Sequence, residues 1–546
     1  MARFVTALLL LCLSAMSSAP AGSVNLSGSV RHLSSLTPLD SATIEIINDA
    51  QPAERFTVVS NAVGLWNFSL QTTSVGAEGA LPGTFALDQN YPNPFNPSTS
   101  IPFTTPSPGN VTIAVHNTIG QRLDERTYTL DAGSHSVRWT ASGAAGMLFY
   151  TVALGEMRLT RRMVQLDGHG RGGLGEVLTS GRTGTSRGPA KAGPLALTII
   201  TTKFLYMPDT THVSVQGDAL VDTKLETVHE RAFVFDLHND VMEKAVLGYQ
   251  IGIRHTTEQS DIPRFKEGGV DAQMFALWTD WRDSAAHPYH AFTLAMADTF
   301  NAQVARSNGA MIQARSTADL LAAAAQGKLA GVLAIEGGHA IRYDLTKLRE
   351  YYDLGARYMT ITWNNSIGWA VSAQDTRSST VGLNSFGQQV IRTMDSLGML
   401  IDVAHTGIKT IKDILAITKN PIIDTHAGAR ALYNHYRNLS DEQIDSIAAR
   451  GGVIGVVFYP SFLSSTGRAT IDSVVRHIDY ITKRVGVDYV AIGSDFDGIE
   501  TVPVGLEDVA RLPNLTAALL RKGYSISDVH KILGGNALRV FTQVCK

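Results

Sequence analysis

The sequence has almost no cysteine. Of 546 residues only Cys12 and Cys545 are cysteines, and Cys12 falls in a leader-like segment. Loss of that leader leaves one thiol, which excludes an internal disulfide and a zinc–thiolate site. Any metal site must draw on the 16 histidines and the carboxylates. A dominant charge sign is missing too: 46 Lys and Arg stand against 49 Asp and Glu, a formal net charge of −3. That excludes a polybasic membrane surface and a nucleic-acid footprint, so nucleic acid is not an expected partner. The apolar stretch from Val5 to Leu13 is too short to cross a bilayer, and no integral membrane span is expected.

What is present is globular: 44% hydrophobic and 17% charged residues, over a length that implies roughly two to four domains. Residues 1–22 read as a secretory signal. Arg3 supplies the positive start, Val5 to Leu13 the apolar core, and Ser14 to Ala21 the small residues before cleavage. The protein is therefore expected to be exported in the bacterial manner, either secreted or held at the cell surface or in the periplasm. Bulky Leu11 argues against a lipid attachment at Cys12.

Residues 23–75 carry short strand-like pieces, Ala42 to Ile47, Phe56 to Val59 and Gly64 to Leu70. They resemble a small carboxypeptidase-regulatory-like β-sandwich. Residues 76–84, rich in Gly, Ala and Pro, read as a linker. Within residues 81–166, the YPNPFNPST stretch at 91–99, the later NTIGQRL and the AGMLFYTV…RRMVQL ending resemble a Por-type secretion sorting domain, an Ig-like sandwich. Such domains usually close a chain, whereas here a long stretch follows, so a spacer stands beside sorting or surface attachment as a reading. Residues 167–194 hold nine glycines, and residues 167–230 as a whole are expected to be a flexible linker with short strands.

From residue 231 the pattern changes to apolar runs separated by helix-like segments. Eight runs stand out: 232–238, 270–278, 330–336, 357–363, 399–405, 421–426, 452–458 and 489–495. Near-continuous apolar strands alternating with helices indicate a parallel sheet covered on both faces. Eight such units predict an α/β fold, the (β/α)8 TIM barrel, with a doubly wound open sheet as the alternative. The C-terminal ends of barrel strands carry the active site in this fold. At those ends stand His238 and Asp240, Glu336, His405, His426, and Asp495. In an extended strand Asp236, His238 and Asp240 project the same way. Two histidines, a His-x-Asp pair and a glutamate with two oxygens suit two metals, and zinc suits imidazole with carboxylate. Two close metals polarise a carbonyl and lower the pKa of a shared water.

These residues sit in a longer series of motifs: FDLHND (235–240), SDIPRFKEGGVDAQ (260–273), IEGGHAI (335–341), LGARYMTIT (354–362), GLNSFG (382–387), LGMLIDVAH (397–405), HAGARALYNHYRNLSDEQI (426–444), GSDFDG (493–498) and GGNALRVF (534–541). In this order they resemble the membrane (renal) dipeptidases, binuclear zinc peptidases of the amidohydrolase superfamily. The resemblance implies two Zn2+ per chain. His238 and Asp240 would hold one, His405 and His426 the other, with Glu336 bridging. Arg437 would grip the free carboxylate of a dipeptide, a bidentate task that suits a guanidinium. Asp495, catalytic together with Glu336, would carry the proton from water to the leaving amine. Asp497 is the competing candidate; Asp495 is preferred because it comes first beyond the apolar run. Tyr459 is a further candidate for the substrate pocket.

One position departs from the family. Trp363 stands after run four where the family has a histidine that polarises the scissile carbonyl. An indole N–H donates one hydrogen bond but carries no charge. Loss of one such donor costs ~10²–10³ in rate in other enzymes, and Asn364 or Asn365 are the candidate substitutes. The function implied is an exported zinc dipeptidase acting on dipeptides, with tolerance of a D-residue at the second position and, as in much of the family, a homodimer. Two rivals stand beside it: another amidohydrolase reaction on lactones or N-acyl amino acids, and a catalytically inactive surface binding protein.

Overall fold

The structure is a computed structural model. It describes residues 23–71, 85–90, 93, 95, 98–117, 121–140, 146–155, 157–165, 173–179, 195–280, 282 and 288–545. The signal at 1–22 and the linker at 76–84 lie outside these residues.

Two small β-sandwiches precede the barrel. In the first, Ser23–His32 pairs antiparallel with Leu65–Gln71 and parallel with Ala219–Leu220 and Thr223–Leu225. Facing it, Thr43–Asn48 lies between Gln51–Val59 and Leu195–Thr202, and Leu195–Thr202 pairs in turn with Asp209–Val215. Leu26, Val30, Ile44, Ile46, Leu197 and Ile199 are fully buried between these sheets. The second sandwich stacks Ala86–Leu87, Ser98–Thr105, Gly133–Thr140 and Gly173–Thr179 on a sheet of Gly109–Asn117, Arg122–Leu130, Gly146–Leu154 and Met157–Gln165. Its core includes Ile101, Phe103, Ile113, Trp139 and Tyr150.

The short strands expected within residues 167–230 belong to these two sandwiches, while residues 167–172 and 180–194 of the expected linker lie outside the described residues. Gly173–Thr179 is a strand of the second sandwich, and the strands from Leu195 to Leu225 complete the first. The cause is alternation: in Leu195–Thr202 the buried positions are Leu197, Ile199 and Thr201, one face of a strand that needs a core. The chain leaves the first sandwich after Gln71, builds the second, and returns at Leu195.

The barrel strands are β1 Phe235–Asn239, β2 Ala272–Trp278, β3 Leu329–Glu336, β4 Ala356–Thr360, β5 Leu400–Asp402, β6 Ile423–Ala427, β7 Val453–Val456 and β8 Val490–Ile492. All pair in parallel. β8 pairs with β1 through Ile492 and Asp236, and β2 with β3 from Ala272 to Trp278, so the sheet closes. Closure removes the open-sheet alternative and establishes the TIM barrel. A short extra strand, Met311–Gln313, adds to the start of β3. The last helix, Asn536–Val544, sets Ala537, Val540 and Phe541 into the same apolar cluster as Phe235, Leu237 and Met274 of β1 and β2.

Candidate metal centre

The site is assembled at the C-terminal ends of the strands. His238 is inside β1, Glu336 ends β3 and His426 is inside β6, and the ladders of β1 and β6 are irregular at the ligands, with register shifts between Asp236 and Asn239 and between Asp424 and Ala427. His405 and Asp495 arrive differently. β5 ends at Asp402 and β8 at Ile492, so both residues lie three positions past their strands. Both hold left-handed backbone, φ 62° at His405 and 63° at Asp495, as does Asp497 at 68°. Such values are uncommon for residues with a Cβ and cluster at functional sites. The apolar runs 399–405 and 489–495 are thus shorter as strands than their hydropathy suggests. Hydrogen bonding stops where the Asp402 carboxylate takes the N–H groups of Ala404 and Thr425.

The expected ligands meet. Glu336, His405 and His426 form one cluster whose ligand atoms lie within 4.8 Å of one another, and His238, Asp240 and Glu336 form another. Glu336 belongs to both, with Oε1 at 3.0 Å from His405 Nε2 and Oε2 at 3.6 Å from His238 Nε2. A third cluster joins His238, His426 and Asp495. His238 Nε2 has Asp240 at 3.3 Å and Asp495 at 3.8 Å as well, yet it is buried without a hydrogen bond, as is Asp240 Oδ1. His405 and His426 point their Nε2 atoms at each other, 3.0 Å apart. Buried groups that converge without satisfying one another are costly. The arrangement fits metal cations held by imidazole nitrogen and carboxylate oxygen.

The protonation states agree at His405 and His426; at His238 burial pulls the ring down, but Tyr358, Asp240 and Glu336 outweigh it and hold it well above its usual value. Burial first, then the nearby Arg437 charge, lowers His405 to about 3, and burial with the charge of His238 lowers His426 well below its usual value. Both rings are neutral and free to ligate. Burial opposes ionisation of Glu336, but His238 and His405 outweigh it and hold the carboxyl below its usual range. For Asp495 burial dominates, with Asp240 and Glu336 adding repulsion, and its carboxyl is raised well above the usual range.

The ring nitrogens facing away from the centre are each engaged. His238 Nδ1 bonds the Tyr358 hydroxyl at 2.7 Å, His405 Nδ1 bonds Asn364 Oδ1 at 2.9 Å, and His426 Nδ1 bonds Thr425 Oγ1 at 2.9 Å. Thr425 and Thr360 both donate to buried Asp402. Asp236 accepts from the N–H and hydroxyl of Ser494, tying β1 to the turn that carries Asp495. Gly498 closes that turn: a Cβ there would lie 2.1 Å from Asp240 Oδ2. The sequence reading missed Tyr358 and gave Asn364 a different task. The signal for Tyr358 was its alternation with Thr360 on the inward face of β4.

A cleft of about 770 Å³ opens onto the cluster. Asp240, Glu336, His405, His426 and Asp495 line it, together with Arg437, Trp363 and Tyr459. Arg437 is 3% exposed. Its Nη2 donates to the His426 carbonyl at 3.2 Å, its Nε has no partner, and its guanidinium lies 5.4 Å from the Phe462 ring centre. Among the described residues no carboxylate is within ion-pair distance of it. Tyr459 bonds Glu500 at 2.8 Å on the rim. Asp497 is turned to the Gln259 segment, with Oδ1 accepting from Gln259 N at 2.7 Å.

A barrel that crowds three imidazoles and three carboxylates around unsatisfied ligand atoms, beside a substrate-sized cleft, defines a metal-dependent hydrolase. The family follows from the comparison with known proteins. Residues 223–546 match the model of the membrane dipeptidases, peptidase family M19, and the chain belongs to that family. Its members are zinc metallopeptidases, and this chain is a metallohydrolase of the dipeptidase type.

Solved structures agree. The dipeptidase AC, an M19 metallopeptidase, is 28% identical over 57% of this chain and 99% of its own, with a TM-score of 0.54. A metallopeptidase from Rhodobacter sphaeroides, solved with a phosphinate mimic of the dipeptide L-Ala-D-Ala, is 26% identical over 57% of this chain and 99% of its own, also at 0.54. The probable dipeptidase PvdM from Pseudomonas aeruginosa is 25% identical over 58% and 96%, again at 0.54. Among the described residues no helix is long and apolar enough to cross a membrane.

Proposed function

We propose that the chain is an exported dipeptidase using two zinc ions, one held by His238 and Asp240, the other by His405 and His426, with Glu336 shared. The observation that carries this reading is Arg437: a buried guanidinium with no carboxylate partner among the described residues, in the same cleft as the ligand cluster. Such a group calls for a small anionic end on the substrate. When bound, the metals supply Lewis acidity toward a carbonyl and acidify a water.

The residues of the chain do the rest. Arg437 takes the C-terminal carboxylate and sets the scissile amide over the ligand cluster. Asp495, whose Oδ1 is 3.8 Å from His238 Nε2, takes the proton from the attacking water and returns it to the departing amine. Asp497 is committed to Gln259, which favours Asp495 for this task. Trp363 and Tyr459 form parts of the cleft wall. Tolerance of a D-configured second residue is supported by the L-Ala-D-Ala mimic bound to the Rhodobacter neighbour.

The test is amino-acid release from a dipeptide panel including L-Ala-D-Ala, with and without chelator. Chelator-sensitive release, absent on tripeptides and N-blocked dipeptides, is expected. A zinc-loaded protein that releases nothing sinks the reading.

A further inference from the structure

Trp363 is not alone. It packs against Trp278 with ring centres 5.1 Å apart and planes tilted by 56°, and its ring centre lies 6.0 Å from that of His405. Both indoles line the cleft and both are partly exposed. Trp278 ends β2, directly beside Glu336 in the strand register, and Trp363 follows β4. The two residues therefore come from the strands on either side of β3, which carries the shared ligand Glu336. In a closed ring of eight strands β2 is opposite β6, and Arg437 follows β6. The indole pair thus enters the cleft from the β2–β4 side, whereas Arg437 enters it from the segment after β6.

We infer that Trp278 and Trp363 form a side-chain pocket for the residue on the amino side of the scissile bond, and that this pocket selects aromatic residues. The inference rests on the dipeptidase reading for the direction of the substrate. A dipeptide held at Arg437 by its carboxylate, with its amide over the ligand cluster, projects its first residue toward the indoles. Aromatic rings pack on one another in tilted or edge-to-face arrangements and gain beyond their buried area. An indole wall rewards a phenyl or indole side chain and does little for a methyl. Trp363 thus exchanges a charged polariser for a selective surface.

The experiment compares L-Phe-D-Ala, L-Ala-D-Ala and L-Ala-D-Phe on the zinc-loaded full chain and on its Trp363→Ala and Trp278→Leu variants, with zinc content and thermal unfolding as checks of folding. The native enzyme should favour L-Phe-D-Ala over L-Ala-D-Ala by ~10-fold or more in kcat/KM. Each variant should lose about tenfold more on L-Phe-D-Ala than on L-Ala-D-Ala, and L-Ala-D-Phe, whose ring lies on the Arg437 side, should follow L-Ala-D-Ala. Equal losses on all three dipeptides, or no native preference, would overturn the pocket and leave the dipeptidase reading standing. A second readout does not need turnover: calorimetric binding of phosphinate mimics of L-Phe-D-Ala and L-Ala-D-Ala. Tighter binding of the phenyl mimic that depends on Trp363, in a protein that hydrolyses no dipeptide, would keep the pocket and sink the dipeptidase reading. Equal binding, or none, refutes the pocket.

Discussion

Replacing Arg437 with Met tests the dipeptide reading at its most exposed point. The side chain keeps an unbranched apolar stem but loses the charged guanidinium at its end. In the free protein the guanidinium makes one bond to the His426 carbonyl and lies against Phe462. Its burial is otherwise uncompensated, so it contributes little to folding. With substrate bound, it would meet a carboxylate in a cleft closed to much of the solvent. Removing one partner of such a buried charge pair costs ~2–5 kcal/mol. At 1.36 kcal/mol per tenfold, kcat/KM on L-Ala-D-Ala should fall ~30- to ~5,000-fold. The contact is remote from the reacting atoms and exists in ground and transition states alike, so the change should enter mainly through KM. The unfolding temperature should stay within about 4 °C. The control is L-Ala-D-Ala methyl ester, which offers no free carboxylate: the native enzyme should cleave its amide poorly, and the variant should cleave it no worse. The assay is amino-acid release at matched zinc content. A loss below about tenfold on the free dipeptide, or equal losses on dipeptide and ester, would refute Arg437 as the carboxylate receptor. It would favour the alternative of another amide or ester substrate.

Tyr358→Phe removes the hydroxyl bonded to His238 Nδ1 and should weaken zinc binding ~10–100-fold in chelator competition; unchanged affinity would mean the ring is fixed by packing alone. Asp495→Asn should lower kcat by ~10² or more, while Asp497→Asn, which keeps an oxygen for Gln259 N and tolerates the left-handed turn, should stay within about tenfold; the reverse order would transfer the proton-carrying task. His477 is lowered to about 4, first by burial, and its neutral ring accepts the Ala429 N–H. Its contribution to stability is intact above the unfolded value near 6.5 and is lost as pH falls toward 4, by up to about 3 kcal/mol. Urea unfolding across that window should show a shallower loss for His477→Gln than for the native chain, and identical slopes would count against it.

The barrel was legible because its strands are buried on both faces and read as unbroken apolar runs. The ligands were legible because each comes where such a run ends. Other features had no local signal. Leu195–Thr202 pairs with Thr43–Asn48 across an inserted sandwich, and nothing near either strand names a partner that distant. The runs through His405 and Asp495 overshoot their strands because Val403, Ala404, Gly493 and Ser494 are apolar or small, while pairing ends at Asp402 and Ile492. Tyr358 and Asn364 look like an ordinary strand residue and an ordinary loop residue. Their roles appear only when the fold sets them beside His238 and His405.

The left-handed turns explain why the ligand set must be built on a barrel of this rigidity. Each non-glycine residue in that region costs ~1–3 kcal/mol, and His405, Asp495 and Asp497 all adopt it. Glycine would relieve the cost but would delete the side chain that the turn exists to aim. The cost is instead met by neighbours that hold the turn from both sides. The His405 carbonyl accepts from Ala373 N and the Thr362 hydroxyl. Asp495 N donates to the His238 carbonyl and its own carbonyl accepts from Gly498 N. The strands below supply the buried Asp402 and Asp236 that fix where each turn begins. An extended continuation of β5 or β8 would carry His405 and Asp495 on along their strands; the reversal in φ brings them back over the barrel axis, within reach of Glu336 and His238. The geometry of the centre is therefore set as much by where two strands stop as by which residues follow them.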